Sequence, residues 1–420
     1  MKLYNSLTNQ VEEFKPQGDY VSVYVCGITP YDTTHLGHAS TYCAFDVLIR
    51  HLESRGISVR YCQNVTDIDD DIIREGKKRG RTWLDLGNEW TLHFMHDMIA
   101  LNVRPPDYYP RATDVIPEIV EVVSKLIESG VAYESGGSVY FHVAADPDFG
   151  KLSKIPLAEM LPIANERGNF PDDPKKRDPL DFVLWQAHAP GEPSWESPWG
   201  PGRPGWHIEC STMNLEWFGP TIDIHGGGAD LLFPHHECEI AQSVSFSGKP
   251  YFSRFWMHTA MVGFEGAKMS KSLGNLVMVD KLLKKYTPDT IRLYLARHHY
   301  RTPWEFTYRE LDESAGECNQ VVQALGVEGG SAVSLDPQYA RQRFENALDD
   351  DLNTTAAVEV LCQFGGEVLT AGDEHRNVTE AQKWLRAAAR VLGLSLDGRE
   401  PESRVRAGWE KHMQRFTNAG

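Results

Sequence analysis

Two short stretches of this chain set imidazoles and ammonium groups where a polyphosphate would need them. The first, His35-Leu36-Gly37-His38, lies between a strand-like run at Val21–Val25 and a helical pattern that begins near Ala39. A helix N-terminus carries unpaired N–H groups and the positive end of the helix dipole, so this junction suits an anion. Gly37 lets backbone approach a ligand closely, and His35 and His38 add donors that can settle on a phosphate as its charge grows. The second stretch, Lys268-Met269-Ser270-Lys271-Ser272 followed by Leu273-Gly274-Asn275, puts two ammonium groups three residues apart on a glycine-containing loop. That arrangement is a clamp for a polyphosphate or, more simply, a solvated face.

A third constellation has metal-ligating chemistry. Cys26 closes the first strand beside HLGH, Cys210 follows Gly205-Trp206-His207-Ile208-Glu209, and Pro234-His235-His236-Glu237-Cys238-Glu239 opens a helix. His235 and Glu239 are four apart and would share a helix face. Two thiolates, an imidazole and a carboxylate make a workable tetrahedral zinc set. Spacing alone does not bring distant cysteines together, and isolated cysteines are more often small buried hydrophobes. A metallohydrolase is excluded on one point: HHECE contains no H-E-x-x-H, so the base such an enzyme needs is not placed. The acidic run Thr66–Asp71 reads as a solvated helix start before it reads as a metal site. His225-Gly226-Gly227-Gly228-Ala229-Asp230 reads as a glycine turn, suited to the ribose and adenine of a nucleotide with Asp230 accepting from a sugar hydroxyl.

These groups need elements to position them. Val59–Gln63 reads as a second strand, residues 70–79, 82–102 and 114–129 as helices, with Asp114 an N-cap, and Ser138–Val143 as another strand. Residues 144–205 are rich in Pro, Gly and charge and read as an insertion packed on the sheet. The sheet resumes at Thr221–Ile224, and Thr287-Pro288 opens a further helix. Strands alternating with helices imply an α/β fold with a doubly wound sheet and a ligand at the carboxyl ends of its strands. Beyond about residue 305 the pattern is helical, at 306–325, 337–348, 355–370 after a cap at Asn353-Thr354, and 379–393. The expected division is a catalytic domain over 1–304 with an insertion at about 105–205, a small helical bundle over 305–395, and a loosely held tail over 396–420.

With 420 residues, 41% of them hydrophobic and 24% charged, the chain reads as an ordinary soluble protein. Met1–Lys15 lacks an apolar signal core, and no apolar run reaches the ~18 residues of a membrane span, so a cytoplasmic monomer with no membrane partner is expected. Seven cysteines, odd in number and never spaced CxxC, do not form a disulfide framework. A net charge of −17 argues against broad affinity for nucleic acid. Residues 301–420 continue that balance, with 13 Lys and Arg against 20 Asp and Glu.

HLGH and KMSKS, in that order and about 230 residues apart, resemble the paired signatures of the class I aminoacyl-tRNA synthetases. Within that family the chain is similar to the cysteine enzymes through the strand-end Cys26, GRPGWHIECS at Gly202–Ser211, DIHGGGADLLFPHHECEIAQS at Asp223–Ser243, and KMSKSLGN. The likeness covers roughly residues 1–300, with weaker helical similarity to about 395. It implies a Rossmann-like parallel-sheet catalytic domain that activates L-cysteine with ATP to cysteinyl-adenylate and transfers it to tRNA(Cys). It further implies one Zn²⁺ held by Cys26, Cys210, His235 and Glu239, receiving the substrate thiolate. A hydroxyl is a poor zinc ligand, so the metal would reject serine. By the same likeness Trp206 walls the side-chain pocket, with Asn64, Thr66, Thr29 and Thr41 on the substrate side. His35 and His38 would act at the α-phosphate, Lys268 and Lys271 on the pyrophosphate, and Gly37, Gly227, Asp230 and Lys271 on ATP, which Mg²⁺ accompanies. Cys238 stands where the family carries a polar residue and is a competing candidate ligand.

Two features depart from that pattern. After the helical bundle these enzymes carry a small domain that reads the anticodon, whereas only about 25 unpatterned residues follow Leu394 here, so no clear anticodon-binding domain is expected. The phrase GITPYDTTHLGHASTY also resembles the cysteine ligase of mycothiol biosynthesis, which shares the core and hands cysteine to an amino sugar, glucosaminyl-inositol. Glu239, KKRDPLDFVLW and KMSKSLGN read as synthetase, so tRNA(Cys) is the expected acceptor and the amino sugar the alternative. A non-catalytic binding paralogue is set aside because both signatures are intact.

Overall fold

Val21–Ile28 is the strand around which the rest is arranged, and its residues Val21, Val23, Tyr24 and Val25 are fully buried. The computed structural model describes residues 1–32, 34–269, 274–396, 398 and 400–417. In it Val21–Ile28 pairs in parallel with Val59–Val65 on one side and with Ile222–Gly228 on the other. Ser253–Thr259 extends the sheet beyond Ile222–Gly228, again in parallel. On the opposite edge, isolated parallel bridges from Cys62 to Tyr108 and from Val65 to Arg111 continue it. The chain therefore runs outward from the central strand on one side and returns on the other. This is the doubly wound order, and its switch point lies between Val21–Ile28 and Ile222–Gly228, where such sheets bind ligands.

Helix Leu36–Ser54 crosses back from the central strand, with Tyr42, Phe45, Ile49 and Leu52 forming the expected buried stripe. It begins three residues earlier than the apolar periodicity indicates, because His35 is its N-cap and accepts a hydrogen bond from the His38 amide. HLGH thus forms the first turn of the helix rather than a loop before it.

Three local readings are corrected. His225–Gly228 is not a turn but the end of strand Ile222–Gly228. The run is glycine because the strand lies against helix Leu36–Ser54, and a Cβ on Gly226 would fall 2.1 Å from the Phe45 ring. Ser138–Phe141 does not join the parallel sheet; it belongs to a separate antiparallel sheet with Ala132–Ser135, Phe182–Ala187 and Gly202–Pro204. Asp114 is not a helix N-cap: it sits in a short 3₁₀ turn, Ala112–Val115, and its carboxylate accepts from the Arg111 amide.

Asp70–Arg79 and Trp83–Ala100 form as read, with Asp69 capping the first through the Ile72 amide. Pro288–Ala296 is capped by Thr287, and Thr354–Asp373 by Asn353. Tyr308–Gly326, Gln338–Asp349, Thr354–Asp373 and Thr379–Val391 bury Leu311, Phe344, Phe364 and Trp384 among themselves. The expected loose tail is a further correction. Ser403–Thr417 is a helix whose Val405, Trp409 and Phe416 are buried, with the Trp409 indole donating to the Val103 carbonyl at 2.8 Å. Among the described residues no helix is long and apolar enough to cross a membrane.

Candidate metal centre and active site

The switch point brings the four metal candidates together. Cys26 lies near the end of the central strand, Cys210 on helix Trp206–Phe218, and Glu239 on helix Glu237–Ser247, with His235 in the turn that precedes it. Cys26, Cys210, His235 and Glu239 are all buried, and one ligand atom from each lies within 4.8 Å of the others. The two sulfurs are 4.0 Å apart, Cys26 Sγ is 3.6 Å from Glu239 Oε1, and His235 Nε2 is 3.1 Å from the same oxygen.

Among the described residues the Glu239 carboxylate has ion-pair contacts only with His225, His235 and His236. Burial, then Cys210 and Glu239, pushes the Cys26 thiol well up, and burial raises the Glu239 carboxyl. Burial likewise pushes His235 and His236 well down, and His225 to about 3. Glu239 Oε2 makes no hydrogen bond, although His225 Nε2 approaches it to 3.4 Å. Left to itself the pocket favours neutral groups; a divalent ion reverses that preference by holding thiolates and carboxylate in the charged form. The donor set, its depth and the orphaned oxygen all fit a zinc-type ion.

Around this nucleus lies a histidine shell that sequence reasoning missed. His225 Nε2 and His236 Nε2 are 3.6 Å and 3.3 Å from Cys26 Sγ. His236 is held by His258 at 2.8 Å, His225 by Asn214 at 3.2 Å, and His235 by His207 at 2.8 Å. The signal was present as His225 before the glycines and as the doubled His235-His236, but the turn reading took His225 out of consideration. Glu209 was missed as well. It is fully buried beside Cys210 and Thr66.

Trp206 stacks on His235 with ring centroids 4.4 Å apart, and lines a cleft of about 540 Å³ between the sheet ends and the insertion. Thr29, Asp69, Arg203, Asp230 and Cys238 also line it. Asn64 accepts from the Gly27 amide at 2.8 Å and donates to Thr66 at 3.3 Å, so both sit beside Cys26. Thr41 meets Thr259 at 2.7 Å, at the end of the outer strand. Gly227 lies inside its strand, and Asp230 is paired with Arg167 of the insertion at 3.3 Å. Cys238 belongs to neither metal-capable group found among the described residues. The acidic run is a helix start: Asp69 caps, Asp71 pairs with Arg74, and Asp67 accepts from Thr113.

The segment that follows the second signature meets the first. The Leu36 amide donates to the Val277 carbonyl at 2.8 Å, and His35 bridges Met278, so the segment following KMSKS docks on HLGH. A Cβ on Gly37 would sit 3.0 Å from the His35 ring, which stacks on His38. Lys268 ends the short strand Ala267–Lys268, and Lys271 lies outside the described residues.

Comparison with known proteins gives the same direction. Residues 13–316 match the family described as tRNA synthetases class I (C) catalytic domain, and residues 343–397 match the DALR domain. The chain is 44% identical to the cysteine–tRNA ligase of Dehalococcoides mccartyi, over 96% of this chain and 88% of that protein. It is 43% identical to the Thermococcus onnurineus enzyme of the same name, over 94% and 87%. In fold it resembles a solved Mycobacterium tuberculosis methionyl-tRNA synthetase in complex with methionyl-adenylate, with a TM-score of 0.62 at 15% identity, covering 95% of this chain and 93% of that one. The chain belongs to the class I tRNA synthetases, in the family of the cysteine–tRNA ligases.

Proposed function

We infer that this chain joins L-cysteine to tRNA(Cys) at the expense of ATP, with a zinc ion in the Cys26–Cys210–His235–Glu239 pocket selecting the thiol. The observation that carries the zinc assignment is the convergence of those four buried side chains beside Trp206, in a chain of this family. When bound, zinc supplies a preference for thiolate over hydroxyl. The protein supplies the pocket that presents the side chain to it, with Trp206 as wall and Asn64 and Thr66 beside Cys26.

In the chemical step the cysteine carboxylate attacks the α-phosphorus of ATP, the bond to the β-phosphate oxygen breaks, and pyrophosphate leaves with the electron pair. No protein nucleophile is needed, so the rate rests on positioning and charge. His35 and His38, at the helix N-terminus, act on the α-phosphate; Lys268 and Lys271 act on the pyrophosphate, which Mg²⁺ accompanies. Thr29, Thr41, Gly37, Gly227 and Asp230 face the substrates, Asp230 after exchanging Arg167 for a sugar hydroxyl. Ala at His38 or Lys271 slows cysteine-dependent ATP–pyrophosphate exchange by about a hundredfold while the protein stays folded. Likeness to cysteine–tRNA ligases over 94–96% of the chain favours tRNA over an amino sugar as acceptor. The test offers radiolabelled cysteine and ATP with either tRNA or glucosaminyl-inositol. Label is expected in tRNA, and label in the sugar amide alone would overturn the acceptor.

A further inference from the structure

Helices Trp206–Phe218 and Glu237–Ser247 begin at the active-site cleft and end at a second cavity, of about 370 Å³, which helix Ile116–Glu128 also lines. At 1.5 Å per residue, their 13 and 11 residues separate the two by roughly 15–20 Å. We propose that this second cavity binds a small aliphatic diamine, two ammonium groups joined by an apolar stem.

Charge sets the sign of the ligand. Among the described residues the cavity is lined by Glu118, Glu121 and Glu216 and by no Lys, Arg or His. Both helices stop there, at Gly219 and Gly248. The last carbonyls of a helix have no partner within it and carry the negative end of its dipole, so they add to the same field. One carboxylate is answered: Lys125 pairs with Glu121 at 2.5 Å and sits 4.9 Å over the Phe246 ring. Among the described residues Glu118 and Glu216 form no ion pair, which leaves two uncompensated charges for a dication to match.

Acidic side chains on a surface are ordinarily solvated, but two polar atoms of this cavity are cut off from water. Thr212 lines it, is 1% exposed, and its hydroxyl oxygen has no hydrogen-bond partner. Glu118 Oε2 is likewise buried without a partner. Buried acceptors left unmade are costly, and an ammonium group, with three N–H donors, can satisfy both. The rest of the wall is apolar, from Val122, Leu215 and Phe246. A bare divalent ion takes oxygen ligands and leaves that wall uncovered. A short alkyl stem covers it, and the face of the Phe246 ring attracts an ammonium end.

The test is isothermal titration calorimetry of the full chain at fixed ionic strength, with putrescine as the diamine, butylamine as the monoamine and Mg²⁺ as the inorganic dication. Putrescine is expected to bind saturably at one per chain, and butylamine at least about tenfold more weakly, as loss of one charge-assisted contact predicts. Glu118→Gln and Glu216→Gln should each weaken putrescine by about the same factor. Glu216 is exposed, so its variant covers the case in which Glu118→Gln fails to fold, which circular dichroism checks. No saturable binding at millimolar putrescine would overturn the proposal. So would equal affinity for putrescine and butylamine, displacement of putrescine by equimolar Mg²⁺, or affinity unchanged in a folded Glu216→Gln.

Discussion

The strand–helix unit Val21–Ser54 contributes to two buried polar clusters, and they balance their charge in different ways. The helix gives Asp46 and Arg50 to the first cluster, which Arg292 and Glu402 complete. Asp46 accepts from Arg50 at 2.9 Å and Arg292 at 2.6 Å, and its other oxygen accepts from the Arg104 amide. The remaining guanidinium nitrogens reach the carbonyls of Leu101, Asn102, Arg390 and Leu392. Two cations face two carboxylates, and none of the nitrogens and oxygens of Asp46, Arg50 and Arg292 lacks a partner. The strand gives Cys26 to the second cluster, where among the described residues the Glu239 carboxylate meets only histidines that burial keeps neutral, and its Oε2 makes no hydrogen bond. A self-neutralised cluster serves to lock helices together; a cluster of buried thiols and carboxyls is kept neutral by its burial and is compatible with a cation from outside. Burial is the same in both, so the completeness of partners separates a structural cluster from a functional one.

Removing a member from each cluster should therefore have opposite consequences. The largest effect is expected at Cys26→Ser, which removes a side chain shared by both metal-capable groups of the pocket. Bound zinc and cysteine-dependent exchange should fall together, with little loss of thermal stability in the metal-free state; zinc retained at one per chain would break the comparison. Next comes Asp46→Asn, which leaves two buried guanidinium groups facing one carboxylate and should cost about 3–5 kcal/mol in denaturant unfolding, while zinc content per folded chain stays unchanged. The smallest effect is a pH dependence at Glu402. Burial alone would raise its carboxyl, but Arg50 outweighs it and holds it at about 2, below the ordinary 4.5. A depressed folded-state pKa contributes stability above the unfolded value and loses it as pH falls. Between pH 4.5 and about 2 the wild type should thus lose at most about 3 kcal/mol that Glu402→Gln does not. Equal acid sensitivity in both would remove Glu402 from the cluster.

What the sequence revealed and what it hid follow from the same contrast. Helix Asp70–Arg79 was readable to its ends, because Asp69 caps it and Gly80 stops it by local rules. The four metal candidates were readable as one set only through family likeness, since nothing in the spacing of Cys26 and Cys210 tells that a strand and a helix bring them together. His225 was hidden by its glycines. Alone they signal a turn, but here they allow a strand to pass against Phe45, a tertiary requirement that overrides the local one. The C-terminal helix had a pattern that went unread: Val405, Trp409 and Phe416 recur at helical spacing and bury one face against Val103 and Tyr109. The separate antiparallel sheet of the insertion could not be told from the main one, because alternation marks a strand and not its partners.

The central claim is that a metal in the Cys26 pocket makes this chain choose a thiol. It is tested most directly by the ratio of cysteine- to serine-dependent ATP–pyrophosphate exchange, measured on zinc-replete protein and again after chelation. The account predicts a ratio that collapses on chelation to roughly the 10–200-fold which pocket fit alone can supply, and that returns when zinc is restored. A ratio unchanged by complete removal of the metal would contradict it.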